Sequence, residues 1–220
     1  LDEAFLDVTH NKLGIEFAVD LAKKAKEDIF RETHLTASAG VSYNKLLAKI
    51  ASDYRKPNGI FTVHPDKALD FIAELPIRKF WGIGPKTAAN MHKMGIYKGE
   101  QLRKVSLTHL VQVFGKMGSV LFDFARGIDN RPVEAYRERK SVGCEQTFLE
   151  DLNTESKVVI ALYHIVIELV KRINKSNFEG HTLSLKIKWD AKNQVSRSIT
   201  TGKLLKTKND ILPLAKYLLR

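Results

Sequence analysis

The stretch Ala39-Gly40-Val41-Ser42-Tyr43-Asn44-Lys45-Leu46-Leu47-Ala48-Lys49-Ile50-Ala51-Ser52-Asp53-Tyr54-Arg55-Lys56-Pro57-Asn58-Gly59-Ile60 changes its period twice. Residues 36–41 are small and extended, as in a strand. Residues 42–55 then bring Leu46, Leu47, Ile50 and Tyr54 to one side of a helix. Pro57-Asn58-Gly59 ends that helix, and residues 60–63 form a short strand. Upstream, residues 4–9 alternate as a strand, and residues 15–30 place Ile15, Ala18, Ala22, Ala25 and Ile29 on one helical stripe. The order strand, helix, strand, helix, strand predicts a sheet with helices packed on it.

Downstream the pattern changes. Residues 65–131 read as helices punctuated by Pro76, Gly82, Gly84, Gly95, Gly115 and Gly127, which predicts a small all-α domain. Residues 134–140 are charged and without apolar period, which suits a tether. Beyond them come a strand at 142–149, a helix at 156–173, a strand at 182–189 with Leu183, Leu185, Ile187 and Trp189 on one face, a strand at 194–200 and a helix at 209–219. That β-α-β-β-α order wants one more strand to complete a two-layer α/β domain. The expected class is α+β and multidomain, with domains at 1–70, 71–132 and 141–220 and a tether at 133–140.

The net charge is +11 and the pI about 9.6, so a polyanion is the first partner to consider. The charge is segregated: net −1 over residues 1–70, +6 over 71–132 and +6 over 133–220. Solubility alone has no need of that division. No apolar run is long enough for a membrane helix, which excludes a spanning role. A lone cysteine, Cys144, excludes an intrachain disulfide framework and a cysteine-based zinc cluster, and fits a reducing compartment, the cytoplasm. The chain opens Leu1-Asp2-Glu3 without Met or leader, as a cut-out piece would.

Four places carry candidate chemistry. Asp2 and Glu3 are adjacent carboxylates before a strand; such a pair is ordinarily solvated surface, yet can hold Mg²⁺ where the strand end bends. Lys45, Lys49, Ser52 and Lys56 share one helix face opposite the leucines, either a wet face or a phosphate site ending in the turn that carries Lys56. Gly82-Ile83-Gly84-Pro85-Lys86 places two glycines and a first-turn proline at a helix start, where main-chain amides can meet a phosphate, with Lys86 and Lys93 adding charge. With the apolar helix at 69–75 before it and Gly95 closing the helix after it, this predicts a helix-hairpin-helix gripping DNA backbone; an αα-corner that uses glycine only for packing is the alternative. Arg197, with Ser196, Ser198 and Thr200, either bonds phosphates or belongs to a polar sheet face. The seven histidines show no metal-ligand spacing, and Cys144 reads as a small buried hydrophobe.

Together, residues 2–9 (Asp-Glu-Ala-Phe-Leu-Asp-Val-Thr), 39–53, Lys56-Pro57-Asn58-Gly59-Ile60 and Trp81-Gly82-Ile83-Gly84 resemble the Y-family DNA polymerases of the DinB type, over essentially the whole chain. The resemblance implies the C-terminal part of a catalytic palm (β-α-β-α-β, 1–70), a helix-hairpin-helix thumb (71–132) and most of a little finger domain (141–220). It implies that Asp2 and Glu3 hold catalytic Mg²⁺ in a two-metal site, that Lys56 meets the triphosphate of a dNTP, and that Gly82 and Gly84 hold primer-template DNA. The implied activity is low-fidelity synthesis across damaged template. The family's third carboxylate, its fingers and its sugar-selecting residue are missing from this chain, so the piece alone is expected to be inactive. A sliding clamp is left open as a partner, through residues absent here. The alternative is a non-catalytic module that binds DNA backbone; the two readings part at Asp2 and Glu3.

Overall fold

In the computed structural model, which describes residues 3–190 and 193–220, the chain divides into two compact units, residues 1–135 and 136–220. The first unit runs α1 (Ala18–Thr33), β1 (Ala39–Val41), α2 (Lys45–Tyr54) and β2 (Ile60–Thr62), then α3 (Ala68–Glu74), α4 (Pro85–Lys93), α5 (Gly99–Lys104), α6 (Leu107–Phe114) and α7 (Lys116–Phe124). Single 3₁₀ turns lie at Pro65–Lys67 and Ile77–Lys79. The domain boundary expected between residues 70 and 71 falls inside α3.

The decisive stretch folds as a β-α-β unit: β1 pairs parallel with β2, with Ala39 opposite Ile60 and Val41 opposite Thr62. Asn44 caps α2, its side-chain oxygen accepting from the Leu47 amide at 3.0 Å. Leu46, Leu47 and Ile50 are buried, as the stripe predicts, and Ala51 is buried beside them. Gly40 lets β1 run against the helix backbone: a Cβ there would lie 2.0 Å from the Ala48 carbonyl oxygen. Tyr54 departs from the expected apolar side. It is 58% exposed at the helix end and stacks on Phe61, ring centroids 4.4 Å apart, at the rim of the core.

Two strand expectations need correction. Residues 4–8 carry no regular secondary structure and Thr9 begins a turn, and residues 142–149 are irregular. A strand is defined by its backbone partner rather than its alternation, and neither segment has one among the described residues. Helix α1 starts at Ala18 rather than 15, β1 is shorter than expected, and none of α1's residues is fully buried.

In the second unit α8 (Glu155–Ser176) and α9 (Lys208–Leu219) cover one side of an antiparallel pair, β3 (Thr182–Lys188) and β4 (Gln194–Thr200). Thr154 and Thr207 cap the two helices. Leu183 faces Ile199 and Ile187 faces Val195 across the ladder, so these positions share a face, and Leu183 and Ile199 join the core against the helices. Trp189, expected on that face, lies past the end of β3 and is 60% exposed. No described helix is long and apolar enough to cross a membrane.

Candidate active site and nucleic-acid interface

Part of the lysine face of α2 is covered: the segment holding Glu3 lies against Lys49 and Lys45, while Lys56, just past the helix end, keeps a side chain 53% exposed. In extended chain, residues two apart point the same way; on a helix, residues four apart do. Here Glu3 and Phe5, two apart, meet Lys49 and Lys45, four apart. Lys49 Nζ donates to Glu3 Oε1 at 2.6 Å, and Lys45 Nζ sits 5.1 Å from the centre of the Phe5 ring. Phe5 also meets Trp81, ring centroids 5.8 Å apart, so the segment touches the residue just before the glycine hairpin. Asp2 lies outside the described residues.

Lys49 is shared. It also donates to Asp53 Oδ2 at 3.0 Å, while Lys56 Nζ lies 2.5 Å from Asp53 Oδ1. Glu3, Lys49, Asp53 and Lys56 thus form one row of alternating charge. Burial acts to raise the Asp53 carboxyl, but hydrogen bonds from Lys56 and Lys49 outweigh it and hold the group below the ordinary carboxylate range. Burial would depress Lys49; its bonds to Glu3 and Asp53 reverse that and raise it. Ser52, also on the lysine face, is turned back onto its own helix, donating to the Lys49 carbonyl.

Glu3 supplies a hard anionic oxygen of the kind Mg²⁺ takes, and its side chain is 59% exposed. The arrangement fits one carboxylate ligand oriented by a lysine. Among the described residues no three of His, Cys, Asp and Glu converge on a point; Asp2 is the companion that the resemblance implies.

The N-terminus of α2 is held by a segment that sequence reasoning missed. Asp129, whose side chain is 1% exposed, accepts from the Leu46 amide at 2.9 Å and pairs with Arg131 at 2.6 Å. Asn44 and Tyr43 both donate to the Gly127 carbonyl, at 2.8 and 3.1 Å. Arg131 in turn lies over Trp81, its guanidinium carbon 4.2 Å from the ring centre. The only trace of this latch in sequence is Gly127, read there as mere punctuation; its φ of +72° is the turn that aims the carbonyl.

The hairpin has the expected geometry. Gly82 has φ +82°, Gly84 is the N-cap of α4, Pro85 is its first residue and Gly95 follows its end with φ +74°. A Cβ on Gly84 would meet nothing within 4 Å, so packing does not require glycine there. What its absence leaves is open access to the first-turn amides, which no preceding carbonyl can satisfy. Gly82, Gly84 and Lys86 are all exposed.

Arg197 is placed otherwise than its neighbours. It stands opposite Leu185 on the helix-covered face and donates to the Leu218 carbonyl at 3.0 Å, closing the end of α9. It therefore does not act with Ser196, Ser198 and Thr200, which project from the other face. That open face carries Thr182, Ser184, Lys186 and Lys188 opposite Thr200, Ser198, Ser196 and Gln194, all exposed. Lys186 and Lys188 have no ion-pair partner among the described residues. The polar sheet face was one of the two readings of Ser196, Ser198 and Thr200; that Lys186 and Lys188 share it, and that Arg197 does not, needed the ladder.

Three models of one family cover most of the chain. The impB/mucB/samB family matches residues 1–53, the IMS family HHH motif residues 65–96, and the impB/mucB/samB family C-terminal domain residues 139–220. The chain belongs to this family, and its fold is that of Y-family DNA polymerases. It superposes on a Y-family DNA polymerase chimera, Dbh-Dpo4(243-245)-Dbh, with TM-score 0.84 and 28% identity over 98% of this chain and 62% of that one. It matches DinB from Sulfolobus solfataricus with TM-score 0.55 and 25% identity, covering 98% of this chain and 62% of that one. Within the family it is similar to DNA polymerase IV: 58% identical to that of Bacteroides fragilis over 100% of this chain and 60% of the relative. With that of Akkermansia muciniphila the identity is 53%, over 100% and 61%. The chain thus spans about 60% of the length of these curated relatives.

Proposed function

We propose that this chain is part of a DNA-directed DNA polymerase that copies damaged template, with its palm residues up to about 70, its thumb at 71–132, its tether at 133–140 and its little finger domain from 141. The 3′-hydroxyl of a primer attacks the α-phosphate of a dNTP; a new P–O bond forms, the bond to the β-phosphate breaks, and pyrophosphate leaves. The observation that carries this reading is the row along α2, which brings the Glu3 carboxylate and the Lys56 ammonium into one ion-paired chain. Asp2 and Glu3 would hold Mg²⁺, which supplies a lowered pKa for the attacking hydroxyl and charge neutralisation on the leaving phosphates. Lys56 meets the triphosphate. The Gly82–Gly84 hairpin with Lys86 holds duplex backbone; the open β3–β4 face, taken by itself, offers hydroxyls and lysines to DNA phosphates. Arg197 supports that sheet from behind. The site of action is the cytoplasm, with the genome.

In the full-length protein, Glu3→Gln or Asp2→Asn abolishes primer extension and leaves primer-template affinity within about twofold, since neither contributes backbone contacts. Extension that survives either substitution overturns the reading in favour of a non-catalytic DNA-binding module. The 220-residue chain alone binds duplex with little sequence preference and a steep salt dependence, and does not extend a primer.

A further inference from the structure

Lys49 has no part in the assignments above beyond its place in the row, yet its surroundings are those of a working group. A lysine withdrawn from solvent is held by carboxylates or not at all. Lys49 is withdrawn to 18% side-chain exposure and has two, Glu3 at 2.6 Å and Asp53 at 3.0 Å. Its bond engages one oxygen of Glu3; the other, Oε2, accepts no hydrogen bond among the described residues. One oxygen is anchored and one presented. Carboxylates that ligate metals are commonly oriented this way by an outer partner, and losing that partner typically costs about 10–100-fold in metal affinity or activity.

The far side of Lys49 leads to the nucleotide. Asp53 divides its two oxygens between Lys49 and Lys56. Phosphates that draw Lys56 away leave Asp53 to Lys49 alone, so occupancy at the triphosphate is felt at Glu3 through one shared ammonium. We propose that Lys49 is a positioning residue of the polymerase reaction, orienting the Glu3 carboxylate and, through Asp53, tying that orientation to Lys56. This rests on the reading under Proposed function, and the experiment separates the two.

In the full-length protein, Lys49→Met, Lys49→Arg, Asp53→Asn and Glu3→Gln are compared for kcat, dNTP KM, DNA affinity and urea unfolding midpoint. Mn²⁺ binding in the presence of a non-hydrolysable dNTP, read by electron paramagnetic resonance, provides a measure independent of turnover. Lys49→Met lowers kcat and weakens Mn²⁺ binding, each by about 10–100-fold, with DNA affinity unchanged. Lys49→Arg, which keeps the charge, recovers most of both. Asp53→Asn raises dNTP KM more than it lowers kcat. If Glu3→Gln abolishes synthesis while Lys49→Met leaves kcat and Mn²⁺ binding intact, the inference falls and the polymerase reading stands. If Glu3→Gln is without effect, the polymerase reading falls and takes the inference with it. If Lys49→Met and Lys49→Arg both lose kcat in step with the unfolding midpoint, Lys49 serves the fold alone, and the inference is again overturned.

Discussion

Helix α2 in the first unit and the open face of β3–β4 in the second are both lysine-bearing polar surfaces, and composition does not tell them apart. The structure does. On α2 and just past its end each lysine is engaged: Lys45 donates to the Pro132 carbonyl and lies over Phe5, Lys49 bridges Glu3 and Asp53, and Lys56 pairs with Asp53. On the sheet Lys186 and Lys188 have no ion-pair partner among the described residues, and the Thr182–Thr200 and Ser184–Ser198 hydroxyls bond to one another across the strands. A basic face whose charges are already answered, as at Lys45 and Lys49, assembles its own protein and its site. A basic face left unanswered is available to a polyanion. Substitution should therefore disturb folding and the candidate site on α2, and DNA binding on the sheet.

The sharpest break in that contrast is Gly40→Ala, which seats nothing but a methyl group. The new Cβ would lie 2.0 Å from the Ala48 carbonyl and 2.3 Å from the Ser52 amide, so β1 and α2 must part. We expect a loss of about 4 kcal/mol or more, the range of forced core rearrangements. Urea unfolding followed by Trp81 fluorescence in a Trp189→Phe background reports on the first unit alone; a loss below about 1 kcal/mol would show that the close approach is not rigid. Next is Asp129→Ala, which strips the Leu46 amide and Arg131 of their acceptor. Breaking a buried pair costs about 3–5 kcal/mol; with Arg131 half exposed we expect about 2–3 in the same assay. Burial works to raise the Asp129 carboxyl, but the bonds from Arg131 prevail and hold it below the ordinary carboxylate range. The folded protein then binds fewer protons than the unfolded chain, so the Asp129 contribution is complete above about pH 4. It drains as pH falls through the depressed folded value. Asp129→Asn should flatten that acid limb in a pH series of unfolding midpoints.

How far all this could be read from sequence depends on whether the deciding partner was near in the chain. The leucine stripe of α2, its stop before Pro57 and the glycine hairpin are local patterns, and the structure has them. The strand expected at 4–9 rests on alternation, which describes a face but not a partner, and neither it nor the strand expected at 142–149 meets a partner among the described residues. Lys49 and Glu3 are 46 residues apart, Leu46 and Asp129 83 apart. Nothing local in either member marks such a pair. The lysine face of α2 was legible as a face; that Glu3 lies on it was not. For Arg197 the missing information was the ladder: opposite Leu185 it belongs with the apolar row, although the serines on either side belong to the polar one.

On the open sheet the effects should move from stability to binding. Lys186→Ala changes stability by no more than about 0.5 kcal/mol, as surface substitutions do. It should weaken duplex binding evenly across sequences and reduce the slope of log affinity against log salt by about 1, the signature of one lost phosphate contact. An unchanged slope would remove Lys186 from the interface. Lys49→Ala is the control on the other surface: its charge is already neutralised within the protein, so the salt slope should not move.

The smallest effect sharpens the contrast within the sheet itself. Ser184 and Ser198 share a hydroxyl bond of 2.7 Å on the open face, where water can replace it when one partner is removed. Cross-strand pairs of this kind contribute about 0.2–1 kcal/mol, so Ser184→Ala should sit at the lower end in unfolding experiments. If the pair is only a sheet fastening, duplex affinity will be unaltered. If phosphate oxygens compete for these hydroxyls, the variant weakens binding by a few-fold with no change in salt slope, because a neutral donor displaces no counterion. The slope thus distinguishes a lysine's part in DNA binding from a serine's where affinity alone would confuse them.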